Sequence, residues 1–367
     1  MTGKKDKLHL TDDLSKRYAP FADWQSVVDI DALKSPSERF WRTPQEISAQ
    51  RAENDLPLKG LRLVLDSGHI GGQWAAHEQR EFRIRENDYY VREAELTLEV
   101  AKNARTRLIK LGAEVQLLRE ALVPVHSRRP IDYLEEAMEQ LPLPKEPSSE
   151  ISKDYANALR DKAIRMSLIS GELAERARRV NKVIRPDALI SLHMNAAAWP
   201  GTAADGTVSE LRLVNANDLH VLIFGCMSRE ELEFPHQQEH LAVKLNNGSG
   251  SVEQQLGSSM AAALADATKL PPATYETRNA VLLDPDQPYV FARNLLILRL
   301  AECPTVLLEP YIVNSEIVYP RIQSALATRL AGKAPDADDI LVEYADAVVT
   351  GVLNCYAAEA KLTKVKG

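Results

Sequence analysis

Two histidines and two glutamates lie at the ends of predicted core elements, where catalytic side chains are commonly found. His69 follows the apolar run LRLVLDSG, His193 ends ALISLH, and Glu309 ends TVLLE. Glu93 falls in the first turn of a predicted helix. Catalytic zinc commonly takes two histidines and one carboxylate and leaves a fourth position for water, and a second carboxylate beside that water can act as its base. These four residue types are therefore sufficient for a hydrolytic zinc site.

Each of these positions also has a simpler interpretation. A histidine at a strand end is often only hydrogen-bonded within a turn. An acid in the first turn of a helix, such as Glu93, usually stabilises the helix dipole. The order of all four residues along the chain therefore carries more weight than any one of them.

The elements that must position these residues alternate between strands and helices. An apolar run closed by Ser67 and Gly68 predicts a buried strand, and ligands gather where the strands of an open α/β sheet end. After Glu93, apolar residues recur at helical spacing until Gly112, which predicts a helix followed by another strand. We therefore predict a three-layer αβα fold with an open, mostly parallel twisted sheet.

Four segments of the chain share their order with one enzyme family. They are LVLDSGHIGG, EAELTLEVAKNARTRLIKLGAEVQLLRE, ERARRVNKVIRPDALISLHMNA and CPTVLLEPYIVNSE. Together they resemble the zinc-dependent N-acetylmuramoyl-L-alanine amidases, which cleave the amide between the glycan and the stem peptide of peptidoglycan. The resemblance covers roughly residues 58–360.

The resemblance implies a role for each of the four residues. His69, Glu93 and His193 would bind Zn²⁺, and Glu309 would be the catalytic acid and base; Glu95 replaces Glu93 only if the register slips by two. Arg278, in TRNAVLL, is a candidate for orienting an acidic stem peptide. Peptidoglycan or a muropeptide would be the substrate. The family implies work in the periplasm or outside the cell, although residues 1–20 contain no apolar core of the length that a signal peptide needs.

A second pattern predicts a different metal site. His236–His240 reads HQQEH, which fits the inverted zinc-protease motif, with Glu239 as base and a later acid such as Glu316 as the third ligand. This interpretation requires a helix, yet LAVKLNNGSG alternates apolar and polar residues as a strand does and then breaks. A solvated loop or short helix is the alternative.

A third hypothesis is a non-catalytic relative of the amidases that binds cell wall without turnover. The acid at the end of the buried run TVLLE argues against it, because a desolvated charge is costly unless a metal or hydrogen bonds offset it.

Composition and charge narrow the class of protein. The 367 residues are 45% hydrophobic and 26% charged, enough to bury a full core, and no stretch is long enough to span a membrane. The net charge of −7 argues against a nucleic-acid partner, which a basic surface would bind. The three cysteines lack metal or redox spacing.

We divide the chain into an N-terminal extension or strap (1–57) and a catalytic domain (58–367) with insertions near 120–165 and 228–251.

Overall fold

The computed structural model describes residues 12–20, 39–143, 149–202 and 210–357. The strands of this part of the chain are β1 (Arg62–Ser67), β2 (Glu81–Phe82), β3 (Val91–Arg92), β4 (Glu114–Leu117), β5 (Ala188–Leu192), β6 (Leu219–Phe224), β7 (Val281–Leu282), β8 (Val290–Arg293) and β9 (Thr305–Pro310). Seven of them form one sheet in the order β4-β1-β5-β9-β6-β8-β7, while β2 and β3 form a separate hairpin.

The sheet changes direction between β9 and β6. Strands β4, β1, β5 and β9 are parallel, whereas β6 is antiparallel to β9 and parallel to β8. The edge at which β1, β5 and β9 end, here called the carboxyl edge, is consequently also the edge at which β6 begins. The connection from β5 to β6 starts and finishes at this edge, and Asn195 and Val214 form bridges to Ile312 and Ser315 just beyond β9.

Helices cover both faces of the sheet. In chain order they are α1 (Asp12–Tyr18), α2 (Pro44–Ser48), α3 (Glu93–Lys110), α4 (Leu134–Gln140), α5 (Ser149–Arg165), α6 (Glu172–Arg178), α7 (Arg229–Leu232), α8 (Pro235–Asn247), α9 (Ser249–Thr268), α10 (Leu296–Leu300), α11 (Val318–Leu330) and α12 (Ile340–Tyr356). Two π-helical stretches, Met166–Gly171 and Arg179–Ile184, continue α5 and α6.

Alternate residues of each central strand enter different hydrophobic cores. Leu63 and Leu65 of β1 pack in the core beneath α3, α9 and α12, while Val64 packs in the core on the other face, with residues of α6, α8 and α10. Successive side chains of a strand point to opposite faces, so a strand buried on both faces must be apolar throughout. The predicted three-layer α/β fold with a mostly parallel sheet is confirmed.

The strand-like interpretation of LAVKLNN was wrong, because these residues belong to α8. Pro235 starts the helix and Gly248, with φ of +72°, follows it in the left-handed conformation that glycine adopts readily. Lys244 is buried on the same helix face as Leu241. A buried lysine within the apolar face of a helix produces the alternation that resembled a strand.

The described parts of residues 1–57 pack onto the main body. The backbone N–H groups of Cys226 and Met227 donate to the carbonyls of Arg17 and Tyr18, at 2.7 and 2.6 Å, and thereby fix α1 just beyond the carboxyl end of β6. Trp41 and Ile47 are buried in the two cores. Within the described ranges, no helix is both long enough and apolar enough to cross a membrane.

Candidate functional site

His69, Glu93 and His193 converge at the carboxyl edge. One candidate ligand atom from each residue lies within 4.8 Å of the other two, and the described residues contain no other such group of three or more. Glu93 lies between the two imidazoles: its Oε1 is 2.8 Å from Nδ1 of His193, and its Oε2 is 3.2 Å from Nε2 of His69. The three residues predicted as metal ligands are thus brought together by β1, the start of α3, and β5.

Gly68 is required by the close approach of β1 and β5 at this site. A Cβ atom at Gly68 would lie 2.3 Å from Cε1 of His193, well inside van der Waals contact. The next residue, His69, has φ of +58°, a left-handed conformation that costs free energy for a residue with a Cβ. The sequence SGH therefore combines a glycine that admits one ligand with a strained turn that presents the other.

Two buried arginines hold this strained turn. Nη2 of Arg119 and Nη2 of Arg176 each donate to the carbonyl of His69 at 2.8 Å. Arg176 is only 1% exposed, and its guanidinium also pairs with Asp66 at 2.9 Å and Glu172 at 2.8 Å. Charge-assisted hydrogen bonds of this kind are the strong ones, so they can offset the backbone strain at His69.

Glu78 orients the imidazole of His69 and was not predicted from the sequence. Its carboxylate accepts the backbone N–H groups of Ile70 and Gly71 at 2.9 Å and lies 3.5 Å from Nδ1 of His69. A carboxylate on the second ring nitrogen commonly fixes the orientation of a metal-binding histidine. Glu78 lies in a polar loop whose sequence, WAAHEQR, gives no sign that it folds back onto the turn.

Glu93 is the negatively charged member of the cluster. Burial alone would raise the pKa of Glu93, but the charges and hydrogen bonds of His69 and His193 hold it well below its usual value. Burial would lower the pKa of His69, but Glu93 and Glu78 outweigh this effect and raise it to about 9. Glu93 is therefore held as the carboxylate, the form that binds a metal ion.

Arg80 lies beside the cluster. Its Nε lies 3.1 Å from Nε2 of His69 and 3.4 Å from Oε2 of Glu93, while nearly half of its side chain is exposed. Glu95, the alternative to Glu93, instead pairs with Arg92 at 3.2 Å.

Glu309 lies at the end of β9, beside the strand that carries His193. The backbone N–H of His193 donates to the carbonyl of Leu308 at 2.9 Å, which places the two strand ends side by side. The Glu309 side chain is 17% exposed, and its Oε2 lies 2.5 Å from Nε2 of His220. Burial would raise the pKa of Glu309, but its hydrogen bond with His220 lowers it.

His220 is a second residue that the sequence did not reveal at this site. It stands in β6 directly opposite Glu309, and it is 3% exposed. In the sequence it opens the apolar run HVLIF, which predicts a buried strand and nothing more. Only the antiparallel direction of β6 brings the start of that strand to the carboxyl edge.

Arg278 does not lie at this site. Its carbonyl is 3.6 Å from Sγ of Cys226, and Cys226 follows the carboxyl end of β6. Because β6 is antiparallel to β9, that end lies at the edge of the sheet opposite His193 and Glu309. The backbone of Arg278 therefore lies toward the edge opposite His193 and Glu309.

The HQQEH pattern is helical, but no third ligand joins its histidines within the part of the chain that the structure describes. The rings of His236 and His240 lie 6.0 Å apart on α8, one helical turn from each other. Their neighbour Gln237 accepts a hydrogen bond from Asn294, which follows β8 at the edge opposite the cluster. Glu316 follows β9 and lies beyond the carboxyl edge, so it cannot complete a site with the two histidines.

The residues at the carboxyl edge fit a catalytic zinc ion. Two imidazoles and one carboxylate are a frequent protein ligand set for such an ion. Glu93 is anionic, and both histidines are within reach of the same point. Glu309 is not one of the three grouped residues, and its Oε2 contacts His220 instead.

Comparison with known proteins identifies the family. A family model described as N-acetylmuramoyl-L-alanine amidase matches residues 63–327. The probable cell wall amidase LytH of Staphylococcus aureus is 30% identical over 104 residues, which is 28% of this chain and 33% of LytH. The alignment thus spans only about a third of that relative.

Solved structures of amidases resemble the chain at lower identity. The N-acetylmuramyl-L-alanine amidase Ami1 of Mycobacterium smegmatis is 16% identical, with a TM-score of 0.44, over 83% of this chain and all of that one. The CwlD amidase of Clostridioides difficile, solved with the GerS lipoprotein, is 12% identical, with a TM-score of 0.41, over 79% of this chain and 95% of that one. The assignment rests on the family model, which covers well over half of the residues: the chain belongs to the N-acetylmuramoyl-L-alanine amidase family.

Proposed function

We propose that the protein is a zinc-dependent hydrolase of the amide bond between N-acetylmuramic acid and L-alanine in peptidoglycan. Family membership supports the reaction class. The observation that supports the proposal is that Glu309 ends the strand beside His193, next to the His69, Glu93 and His193 cluster, because such a set could supply both metal ligands and a separate base. The substrate places the enzyme's work outside the cytoplasm, where peptidoglycan lies.

Each residue of the site has a separate role in the proposed reaction. His69, Glu93 and His193 would hold the zinc ion, which when bound supplies Lewis-acid polarisation and makes water a stronger acid. Glu309 takes a proton from the attacking water and returns it to the departing nitrogen of L-alanine, so one carboxylate serves as base and then as acid. Glu78 and the two arginines that hold the carbonyl of His69 keep the imidazole in place.

The first experiment measures zinc content and muropeptide hydrolysis on one preparation. We expect about one zinc ion per chain and expect His69→Ala or His193→Ala to empty the site, since two imidazoles and one carboxylate form a single site. Full zinc occupancy in both variants would refute the ligand assignment. Bound zinc without hydrolysis by the parent protein would favour a cell-wall-binding role instead.

The decisive variant is Glu309→Gln, which keeps the size of the side chain and removes its ability to accept a proton. We expect zinc content to remain and kcat to fall by roughly 10²–10⁴-fold, the usual contribution of general acid–base catalysis. Glu239→Gln, the same change in the exposed acid of HQQEH, is the matched control and should keep parental activity. Near-parental turnover in Glu309→Gln would end the assignment of Glu309 as the base.

A further inference from the structure

We propose that His220 is a positioning residue that holds Glu309 through an Nε2–H···Oε2 hydrogen bond and so makes Oε1 the oxygen that exchanges protons with substrate water and product amine. This inference rests on the proposed role of Glu309.

The contact follows from the sheet topology. His220 and Glu309 are direct partners in the antiparallel pair of β6 and β9, so their backbones are held opposite each other by the strand register. Their side chains then meet with Nε2 and Oε2 only 2.5 Å apart. A rigid backbone on both sides leaves the contact little freedom, which is the requirement for a preorganised catalytic carboxylate.

The direction of the hydrogen bond is fixed by its partners. Oε2 of an ionised carboxylate only accepts, so Nε2 must carry the hydrogen atom. Nδ1 of His220 is buried and has no hydrogen-bond partner among the described residues. An N–H at Nδ1 would be a buried donor without an acceptor, which is costly, so the proton belongs on Nε2.

The two oxygens of Glu309 are consequently different. Oε2 is occupied by His220, whereas Oε1 accepts no hydrogen bond within the described part of the chain. The side chain remains partly exposed, so Oε1 is the oxygen that can meet a water molecule. In the forward reaction Oε1 gains the proton that the attacking water loses and then gives it to the leaving nitrogen, so Glu309 ends in the protonation state in which it began.

The residues around His220 restrict the movement of its imidazole ring. Tyr275 packs against it with ring centroids 5.5 Å apart, and only 3% of the residue is exposed. An imidazole in such a pocket cannot turn away from Glu309 without displacing its neighbours. The same confinement makes side-chain length a sharp test of the hydrogen bond.

The test compares His220→Gln with His220→Asn in the zinc-loaded protein. Glutamine places an amide N–H₂ about where Nε2 of histidine lies, whereas asparagine reaches only to the position of Nδ1. We expect His220→Asn to lower kcat by about 10-fold or more with little change in KM, and His220→Gln to recover most of the loss. Zinc content should stay parental in both.

A control variant separates positioning from general damage. Thr305→Val removes the buried hydrogen bond from the hydroxyl of Thr305 to the carbonyl of Cys303, at the other end of β9. We expect this variant to lose stability and keep the parental kcat. Equal kcat in His220→Asn, His220→Gln and the parent would overturn the proposal, as would equal losses in both His220 variants.

A second measurement does not depend on activity. In protein labelled with ¹⁵N-histidine, NMR shifts report which ring nitrogen is protonated, and His220→Gln assigns the signal. We expect Nε2 of His220 to carry a proton, and an unprotonated Nε2 would overturn the proposal even if the variants lost activity. If the parent binds zinc but hydrolyses no muropeptide, the proposed function fails while this measurement still decides the contact.

Discussion

Glu93 and Glu253 are both buried carboxylates, but their partners differ in kind. Glu253 pairs with two side chains that carry permanent positive charge, Arg17 at 2.6 Å and Lys244 at 2.7 Å, and it also accepts from Ser249. Glu93 is contacted mainly by imidazoles, which are neutral unless protonated, and by the half-exposed Arg80. The charge of Glu253 is therefore balanced within the fold, whereas that of Glu93 is matched by groups that can exchange a proton for a metal ion.

This contrast separates buried acids that stabilise the fold from those that belong to a candidate functional site. A carboxylate fully satisfied by fixed cations contributes to structure, and removal of one partner leaves an uncompensated charge. A carboxylate grouped with histidines at a strand end is preorganised for a further ligand. Burial of an acid does not by itself distinguish the two, since Glu253 is fully buried and Glu93 nearly so.

The largest effects are expected when Glu253 and Glu93 are each replaced by glutamine. Glu253→Gln should lower the free energy of unfolding by about 3–5 kcal/mol, because Lys244 and Arg17 lose their buried counter-charge, while zinc binding remains. Glu93→Gln should abolish zinc binding, with a loss of less than about 2 kcal/mol in the metal-free protein. Denaturant unfolding and zinc titration measure the two quantities. Parental zinc affinity in Glu93→Gln, or loss of zinc from folded Glu253→Gln, would contradict the comparison.

A smaller effect is expected at Asp187, a third buried acid. Asp187 is paired with Arg42 at 2.6 Å and Arg62 at 2.8 Å, and although burial would raise its pKa, these hydrogen bonds lower it. We expect Asp187→Asn to cost about 2 kcal/mol at neutral pH, less than Glu253→Gln because both arginines are partly exposed and can be solvated.

The difference in stability between the parent protein and Asp187→Asn should depend on pH in a definite direction. A lowered pKa in the folded state stabilises the protein above the unfolded pKa of about 3.9, and the stabilisation is lost as the pH falls through the folded value. The gap between parent and Asp187→Asn should therefore close below about pH 4. Asp346→Asn, in an exposed pair with Arg107, is the control and should change stability by less than about 1 kcal/mol. A gap that persists to low pH would show that Asp187 acts by packing alone.

The smallest effect is expected on α8. His236→Ala and His240→Ala should retain zinc and most activity, and the exposed His236 should change stability by no more than about 0.5 kcal/mol. Zinc content by elemental analysis checks this. Loss of zinc from these variants, with retention in His69→Ala, would move the metal site to the HQQEH helix and remove the basis of the comparison.

Local sequence patterns predicted much of the fold and the main site residues. Apolar runs ending at His69, His193 and Glu309 indicated parallel strands, and the rule that such strands end at one edge placed their last residues together. The helix from Glu93 followed from the spacing of apolar residues and from Gly112. The structure brings the three predicted ligands together; their role as ligands remains a prediction.

The residues that the sequence missed depend on contacts that no local pattern encodes. His220 reaches Glu309 only because β6 lies beside β9 and runs against it, and neither strand order nor direction is written in the run HVLIF. Glu78 reaches His69 because a loop folds back onto a left-handed turn. The interpretation of LAVKLNN failed for a related reason, since Lys244 is buried only because Glu253 of another helix neutralises it.

The reversed direction of strand β6 also determines where the chain can accept insertions. Residues 194–218 leave β5 and enter β6 at the same edge, and their described flanks are fastened to the segment after β9 through Asn195 and Val214. Because closing a loop costs only about 0.6 kcal/mol more for each doubling of its length, insertions between these two fastenings would leave the strand register intact. This stretch is thus a suitable place to graft new recognition segments near the two histidines, and a library varied there would change the entrance while leaving the candidate site unchanged.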